Sequence, residues 1–457
     1  MSVASLDLLL GFTQALALTM SVAFVTYVCL IVLPYLRHRR EPAGDPTRLE
    51  WHFMVPCRDE QSVIGGTVRY LRSTFPSAHV WIIDDDSDDA TAAVVRQSRQ
   101  HNDGSIHLVQ RMRPHARTGK GEALNAGYRA IKQWMGRHAD AGHAVLVVVD
   151  ADGRPAPNCL AVCASDGLFG DPGIGAVQID VRMINRGVPE ADVGRFRRAY
   201  GSVLVRMQDL EFRTAIAAIQ MSRRVTGTIS MGGNGQFTRL SALDSIAGPD
   251  GRPWRGSLLE DFELGVQLLT GGWRTGFSVD THVDQEGLYS MRRFLAQRTR
   301  WGQGTMQCAR YLRQVWESRH LSTLGAAEIM YYLAQPWMQL VGTVVYPIPF
   351  VFLGVRTVQD PAEVWQWWTG GAWLLFAVYG VFGLLPFLMW GPIYRARCER
   401  AGSWWRGLGY GFAYALYIYT FYVTSWRAVT RLARGRNGWA KTRRNTEVGS
   451  GVVALDH

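Results

Sequence analysis

The chain is 457 residues long and carries 49 Lys and Arg against 38 Asp and Glu, a formal net charge of +11. Its 47% hydrophobic and 19% charged residues exclude a disordered or collagen-like polymer, and the length suits about three domains of roughly 150 residues each. Six cysteines, at 29, 57, 159, 163, 308 and 398, make no disulfide scaffold in a chain of this size. Only Cys159 and Cys163 are close together, and no His or second Cys pair completes a zinc site.

Residues 8–34 contain no charged residue, a run longer than the roughly 20 apolar residues a bilayer-spanning helix needs. No Lys or Arg precedes the run, as one would before a signal peptide. Arg37, His38, Arg39 and Arg40 follow it, which predicts an outside N-terminus and a cytoplasmic chain from residue 40 onward.

Residues 45–320 read as one large α/β domain. Short apolar runs at 51–56, 79–86, 105–110 and 144–152 have the composition of strands, and 60–74, 89–101 and 120–137 between them have that of helices. This alternation predicts a mostly parallel sheet covered on both faces, with ligands at the carboxyl ends of its strands. The acidic clusters fall at such ends. Asp84-Asp85-Asp86-Ser87-Asp88-Asp89 follows one strand, a pattern shared with a capped acidic turn. Asp150-Ala151-Asp152 follows Val-Leu-Val-Val-Val. Alternation in a strand sets both carboxylates on one side, where a divalent cation, Mg2+ or Mn2+, bridges to a diphosphate.

Lys120 sits between Gly119 and Gly121, a cation at a helix start suited to an anion. The G-x-x-x-x-G-K spacing of a P-loop is absent. The surrounding basic run, Arg111, Arg113, His115 and Arg117, reads equally as solvated surface. Glu260-Asp261 opens a helix; the pair is either N-terminal capping or a carboxylate base for a sugar hydroxyl. Gln297, Arg300 and Trp301 combine a bidentate diphosphate holder with a flat ring for a sugar; an amphipathic membrane-surface helix is the alternative.

Three further apolar stretches, 329–355, 371–393 and 407–426, close the chain, with Pro336, Pro347 and Pro349 in the first and an aromatic belt at Trp365, Trp367, Trp368 and Trp373. One plus three passes would place the C-terminus outside. The basic tail, Arg427, Arg431, Arg434, Arg436, Lys441, Arg443 and Arg444, argues for inside.

In series, D-D-x-S-x-D, D-x-D, E-D and Q-x-x-R-W resemble the motifs of membrane-embedded family 2 glycosyltransferases of the processive kind, which include cellulose, chitin, hyaluronan and poly-N-acetylglucosamine synthases. The resemblance implies a GT-A-type catalytic domain at 45–286 with flanking transmembrane helices at 1–40 and 326–430. An interfacial segment at 287–325 and a basic tail at 431–457 complete the layout. It assigns Glu60, Asp85 and Lys120 to the nucleotide and Asp150 and Asp152 to the diphosphate and metal. Asp261 becomes the catalytic base with Glu260 beside it in sequence, Gln297, Arg300 and Trp301 bind diphosphate and acceptor, and Met231–Arg239 lines the acceptor site. Asp59 stands where the family often has Asn. The implied reaction is inverting transfer from a UDP-sugar to a growing β-linked glycan extruded through a multi-pass plasma-membrane protein, with accessory export proteins as further partners. Two alternatives stand beside it: single transfer to a membrane lipid, and a non-enzymatic export scaffold. A nucleic-acid partner is not expected, because the excess positive charge flanks the apolar stretches.

Overall fold

The computed structural model describes residues 3–100, 104–136, 140–188, 193–400, 403–436 and 438. After an apolar helix, α1 (Val3–Arg37), the chain enters the expected alternation: β1 (Glu50–Cys57), α2 (Ile64–Thr74), β2 (His79–Asp85), α3 (Thr91–Gln100), β3 (Ile106–Arg111), α4 (Lys120–Met135) and β4 (Ala144–Val148). Four more strands follow, β5 (Arg154–Pro155), β6 (Ile174–Met183), β7 (Gln236–Arg239) and β8 (Arg274–Gln285). They form one sheet in the order β3-β2-β1-β4-β7-β6-β8-β5. β1 to β4 are parallel neighbours, as are β6 and β8. β7 runs antiparallel between β4 and β6, and the short β5 is antiparallel to β8.

The central strands are buried on both faces, which is why they read as continuous apolar runs. Phe53, Val55, Val145 and Val147 face the core beneath α2, with Ile64, Val68 and Leu71. Met54, Leu146 and Val148 face the opposite core, with Leu124, Tyr128 and Ile131 of α4. A Cβ on Gly127 would lie 2.8 Å from Met54 Cε and 3.0 Å from Ile83 Cδ1, so only glycine lets α4 sit this close to the sheet. Val28, Ile31, Val32 and Tyr35 of α1 join that second core. The apolar N-terminal helix is thereby packed onto the catalytic-side domain.

Two helices among the described residues are long and apolar enough to cross a bilayer, Gly11–Arg37 and Thr323–Gln359. They contain most of the expected spans 8–34 and 329–355. The other two expected spans are interrupted. Stretch 371–393 falls into helices Trp373–Leu388 and Trp390–Arg397, and stretch 407–426 into Trp404–Ile418 and Thr420–Ala433. Lys441, Arg443 and Arg444 of the basic tail lie outside the described residues.

Helices Trp390–Arg397 and Trp404–Ile418 cross on glycines. A Cβ on Gly391 would lie 2.1 Å from Gly411 N and 2.2 Å from Gly407 O. This contact seats Tyr394, whose hydroxyl donates to Asp209 Oδ2 at 2.5 Å, while Asp209 Oδ1 accepts the Met183 N–H of β6 at 2.8 Å. Gly391→Ala is expected to destabilise the protein by about 3 kcal/mol, the upper range for overpacking, measured as a lowered denaturation midpoint in detergent.

Candidate active site

The carboxyl ends of β1, β2 and β4 open into one cavity of about 1070 Å³ whose lining includes Glu60, Asp85, Lys120, Asp150, Glu260, Asp261, Gln297, Arg300 and Trp301. Nine of the ten site residues expected from sequence therefore share one space; Asp152 does not line it.

Asp85 ends β2. Its Oδ1 accepts the Arg117 N–H at 3.1 Å and pairs with the Arg111 guanidinium. The neighbouring carboxylates are answered in the same way: Arg113 Nε lies 2.7 Å from Asp86 Oδ2, and Arg117 Nη2 lies 2.6 Å from Asp88 Oδ1. The basic run 111–117 is thus no indifferent surface. It neutralises an acidic strand end that would otherwise repel itself. Glu60 is buried at the start of the turn after β1, and its backbone N–H donates to Thr91 Oγ1 at 2.8 Å.

Lys120 is the first residue of α4. Its Nζ donates to Asp150 Oδ1 and to the Gly233 carbonyl, both at 2.7 Å. Burial alone would lower its pKa; the charges of Asp150 and Glu260 outweigh that and raise it, so the ammonium is held charged. The Met231–Arg239 segment enters the site through its backbone. Gln178 of β6 fixes it, accepting the Gly232 N–H at 2.8 Å and donating to the Asn234 carbonyl at 2.9 Å. Nothing in the sequence singled out Gln178.

Glu260 and Asp261 open helix Glu260–Thr270. Burial raises the Asp261 pKa to about 7, and the adjacent Glu260 charge adds to the rise. Burial also raises Glu260, against the lowering charge of Lys120. A carboxylate near neutrality in a cleft can take a proton from a hydroxyl. Arg300 lies across the cavity; burial lowers its pKa, opposed by Glu260 and Asp150, and a guanidinium remains charged in water's pH range.

Trp301 is held on two sides. Phe212 meets its ring edge-to-face at a centroid distance of 6.3 Å, and the Arg298 guanidinium carbon stands 4.2 Å from its ring centroid. Arg298 is anchored in turn by Glu211 Oε2 at 2.6 Å. Glu211 lies in a π-helical turn, Glu211–Ile216, a distortion common at functional sites. The Arg298–Glu211 pairing carried no sequence signal, because its two members come from distant segments.

The expectation that Asp150 and Asp152 point the same way is corrected. β4 ends at Val148 and the chain turns, so strand alternation no longer applies. Asp150 faces Lys120, whereas Asp152 Oδ2 accepts the Glu286 N–H at 3.0 Å. Among the described residues, no group of three or more His, Cys, Asp or Glu forms a closed metal site. One or two carboxylates, with a substrate diphosphate supplying the remaining oxygens, are the donor set that hard cations such as Mg2+ use. Asp150 alone of the pair lines the cavity, so as placed here it is the carboxylate that would share such an ion with the diphosphate, and Asp152, held by the Glu286 N–H, does not join it.

Residues 50–304 match the model of the family described as glycosyltransferase like family 2, and the chain belongs to that family. Its sheet is accordingly a GT-A-type fold, and residues 50–304 form a domain of the glycosyltransferase family. The beta-monoglucosyldiacylglycerol synthase of Synechocystis sp. is 31% identical over 263 residues, 57% of this chain and 48% of that protein. The corresponding synthase of Trichormus variabilis is 28% identical over 57% of this chain and 49% of that protein. A polyprenol monophosphomannose synthase of Mycolicibacterium smegmatis is 29% identical over 108 residues, 24% of this chain and 37% of that protein. The chain thus spans about half the length of the beta-monoglucosyldiacylglycerol synthases it matches. Among solved structures, the mannosyltransferase PcManGT of Pyrobaculum calidifontis, in complex with GDP-Man and Mn2+, is 19% identical with a TM-score of 0.48, covering 88% of this chain and 98% of that one. These curated relatives are named for glycosylated lipids, not for the polysaccharide synthases that the motif order resembles.

Proposed function

We propose that this protein is an inverting glycosyltransferase that moves a hexose from a UDP-sugar to the hydroxyl of a membrane lipid. The observation that carries the reading is the continuity of the cavity. It joins the charged residues at the strand ends to residues of both helices long enough to span a bilayer, including Phe24 and Tyr346. The lipid names of the curated relatives support a lipid acceptor over a growing glycan.

In this reading Glu60, Asp85 and Lys120 hold the nucleotide. Asp261 removes the acceptor hydroxyl proton as the oxygen bonds to the anomeric carbon. The bond from that carbon to the diphosphate oxygen breaks on the opposite face, inverting the centre. Arg300 and Gln297 face the departing diphosphate, and Trp301 offers its ring to a sugar. Asp150 would hold a divalent cation together with the diphosphate oxygens, and the ion when bound supplies charge neutralisation to the diphosphate. Glu260 is the neighbouring charge that keeps Asp261 basic.

The test offers membranes containing the protein a panel of radiolabelled UDP-sugars with Mg2+ or Mn2+ and a diacylglycerol, and sizes the product. One organic-soluble species from one donor, lost on adding EDTA, is expected. A high-mass product would restore the polysaccharide synthase reading, in which Trp301 stacks the growing chain. Failure of every donor to react would remove the proposal.

A further inference from the structure

The cavity does not end at the reacting carboxylate. Every charged residue that lines it lies between Arg58 and Arg300; α1 and the described chain after Trp301 contribute none. One end is an arm between α1 and the helices Thr323–Val345, Pro347–Gln359, Trp373–Leu388 and Thr420–Ala433. Its walls are largely aromatic: the Phe24 and Phe387 rings lie 5.3 Å apart, and Tyr419 and Tyr422 stack at 5.7 Å. Two cations of the lining reach helices of the arm, Arg223 at Tyr332 and Arg298 at Phe421, and each is paired with a carboxylate, Glu328 and Glu211.

Polar side chains occur in the arm, but they bond to each other. Ser425 Oγ donates to Gln339 Oε1 at 2.5 Å, and Ser21 Oγ shares a hydrogen bond with the Tyr346 hydroxyl at 3.4 Å. A hydrated glycan needs partners for its hydroxyls, and a largely aromatic wall in which Ser425, Gln339, Ser21 and Tyr346 are taken up by each other suits hydrocarbon. Volume agrees: about 1070 Å³ exceeds the roughly 300–1,000 Å³ of a site for one small molecule, so a second substrate has room beside the nucleotide sugar.

We propose that this arm is a chain-binding subsite that takes a hydrocarbon chain of the acceptor end-on and presents the acceptor hydroxyl at Asp261. The inference rests on the lipid-acceptor reading above and adds that the arm, rather than the bulk bilayer, holds the chain during transfer. Chain length is then read by the depth of the arm.

Gly383 provides the test, because it lines the arm and a Cβ built on it meets no atom within 4 Å. Gly383→Leu fills that space and favours the helix. The full-length protein in detergent micelles is assayed with a UDP-hexose and a series of dialkylglycerols from short to long chain. The ratio of kcat/KM for long over short acceptors is expected to fall at least about tenfold, the scale of methylene discrimination in an apolar pocket. Ser21→Leu, on α1, is expected to shift the ratio in the same direction. A ratio cancels any loss of folded protein, which lowers both acceptors equally. If wild-type protein glycosylates dialkylglycerols and neither variant moves the ratio, the subsite is overturned while the lipid reading stands. If wild-type protein glycosylates none of them, the lipid reading fails and the subsite with it.

Discussion

Asp261→Asn is expected to lower kcat about a thousandfold, within the range for a positioned general base, while leaving the KM for the donor nearly unchanged. The amide keeps the volume of the side chain and can still accept the Phe262 N–H, which now reaches Asp261 Oδ1 at 2.7 Å. What it loses is the capacity to take a proton. The pH dependence separates this from a packing defect. Burial holds the Asp261 pKa at about 7, and the base acts only when ionised. Activity must therefore rise with pH through about 7 and level off above it. Two units lower, roughly one hundredth of the sites are ionised, and kcat should fall in proportion. In Asp261→Asn the residual rate should lose this limb. A variant whose residual activity keeps a midpoint near 7 would assign the limb to another group, Glu260 being the nearest, and would remove Asp261 from the reaction.

The catalytic sheet was legible because its signals are local. Val145, Leu146, Val147 and Val148 form an unbroken apolar run, and only a strand buried on both faces requires one. Asp85 and Asp150 were singled out by the same logic, since parallel strands deliver their ends to one edge, and Lys120 by its place between two glycines at a helix start. Legibility fails where the deciding contact is long-range. The D-x-D pair diverges because β4 stops at Val148, two residues before the apolar pattern gives any sign of it. The basic run 111–117 looked like surface because its acidic partners stand at the end of another strand. The acceptor class was similarly hidden. Motif order records how the donor is handled, and the donor chemistry is common to glycan and lipid transferases. In the proposed reading the acceptor meets the cavity wall, which is assembled from α1 and from helices at the far end of the sequence.

Gly233 carries the second large expected effect. Its carbonyl accepts the Lys120 ammonium at 2.7 Å. A Cβ added to it would stand 3.1 Å from both Asp261 Oδ2 and Lys120 Nζ. A methyl group here must push the base, the cation or both by a few tenths of an ångström. Misplacement of about 1 Å at a reacting group costs on the order of a hundredfold in rate, so Gly233→Ala is expected to lower kcat roughly 10- to 100-fold. Gly232→Ala is the control. Its Cβ would meet Gln178 Oε1 at 3.5 Å, an ordinary contact, and the Gly232 N–H donated to that same oxygen survives; activity should stay within about twofold if a tenfold loss marks displacement of a reacting group. The pH profile gives an independent reading. The Lys120 charge lowers the Asp261 pKa, against the larger effect of burial. Moving the ammonium away weakens that opposition, so the activity midpoint of Gly233→Ala should move above about 7, whereas simple blockage of substrate would leave it in place. A lowered rate with an unmoved midpoint would mean that the methyl excludes substrate and does not displace the Lys120–Asp261 pair. An unchanged rate would show that the base does not work at this junction of α4, the Gly232–Gly233 turn and the helix beginning at Glu260.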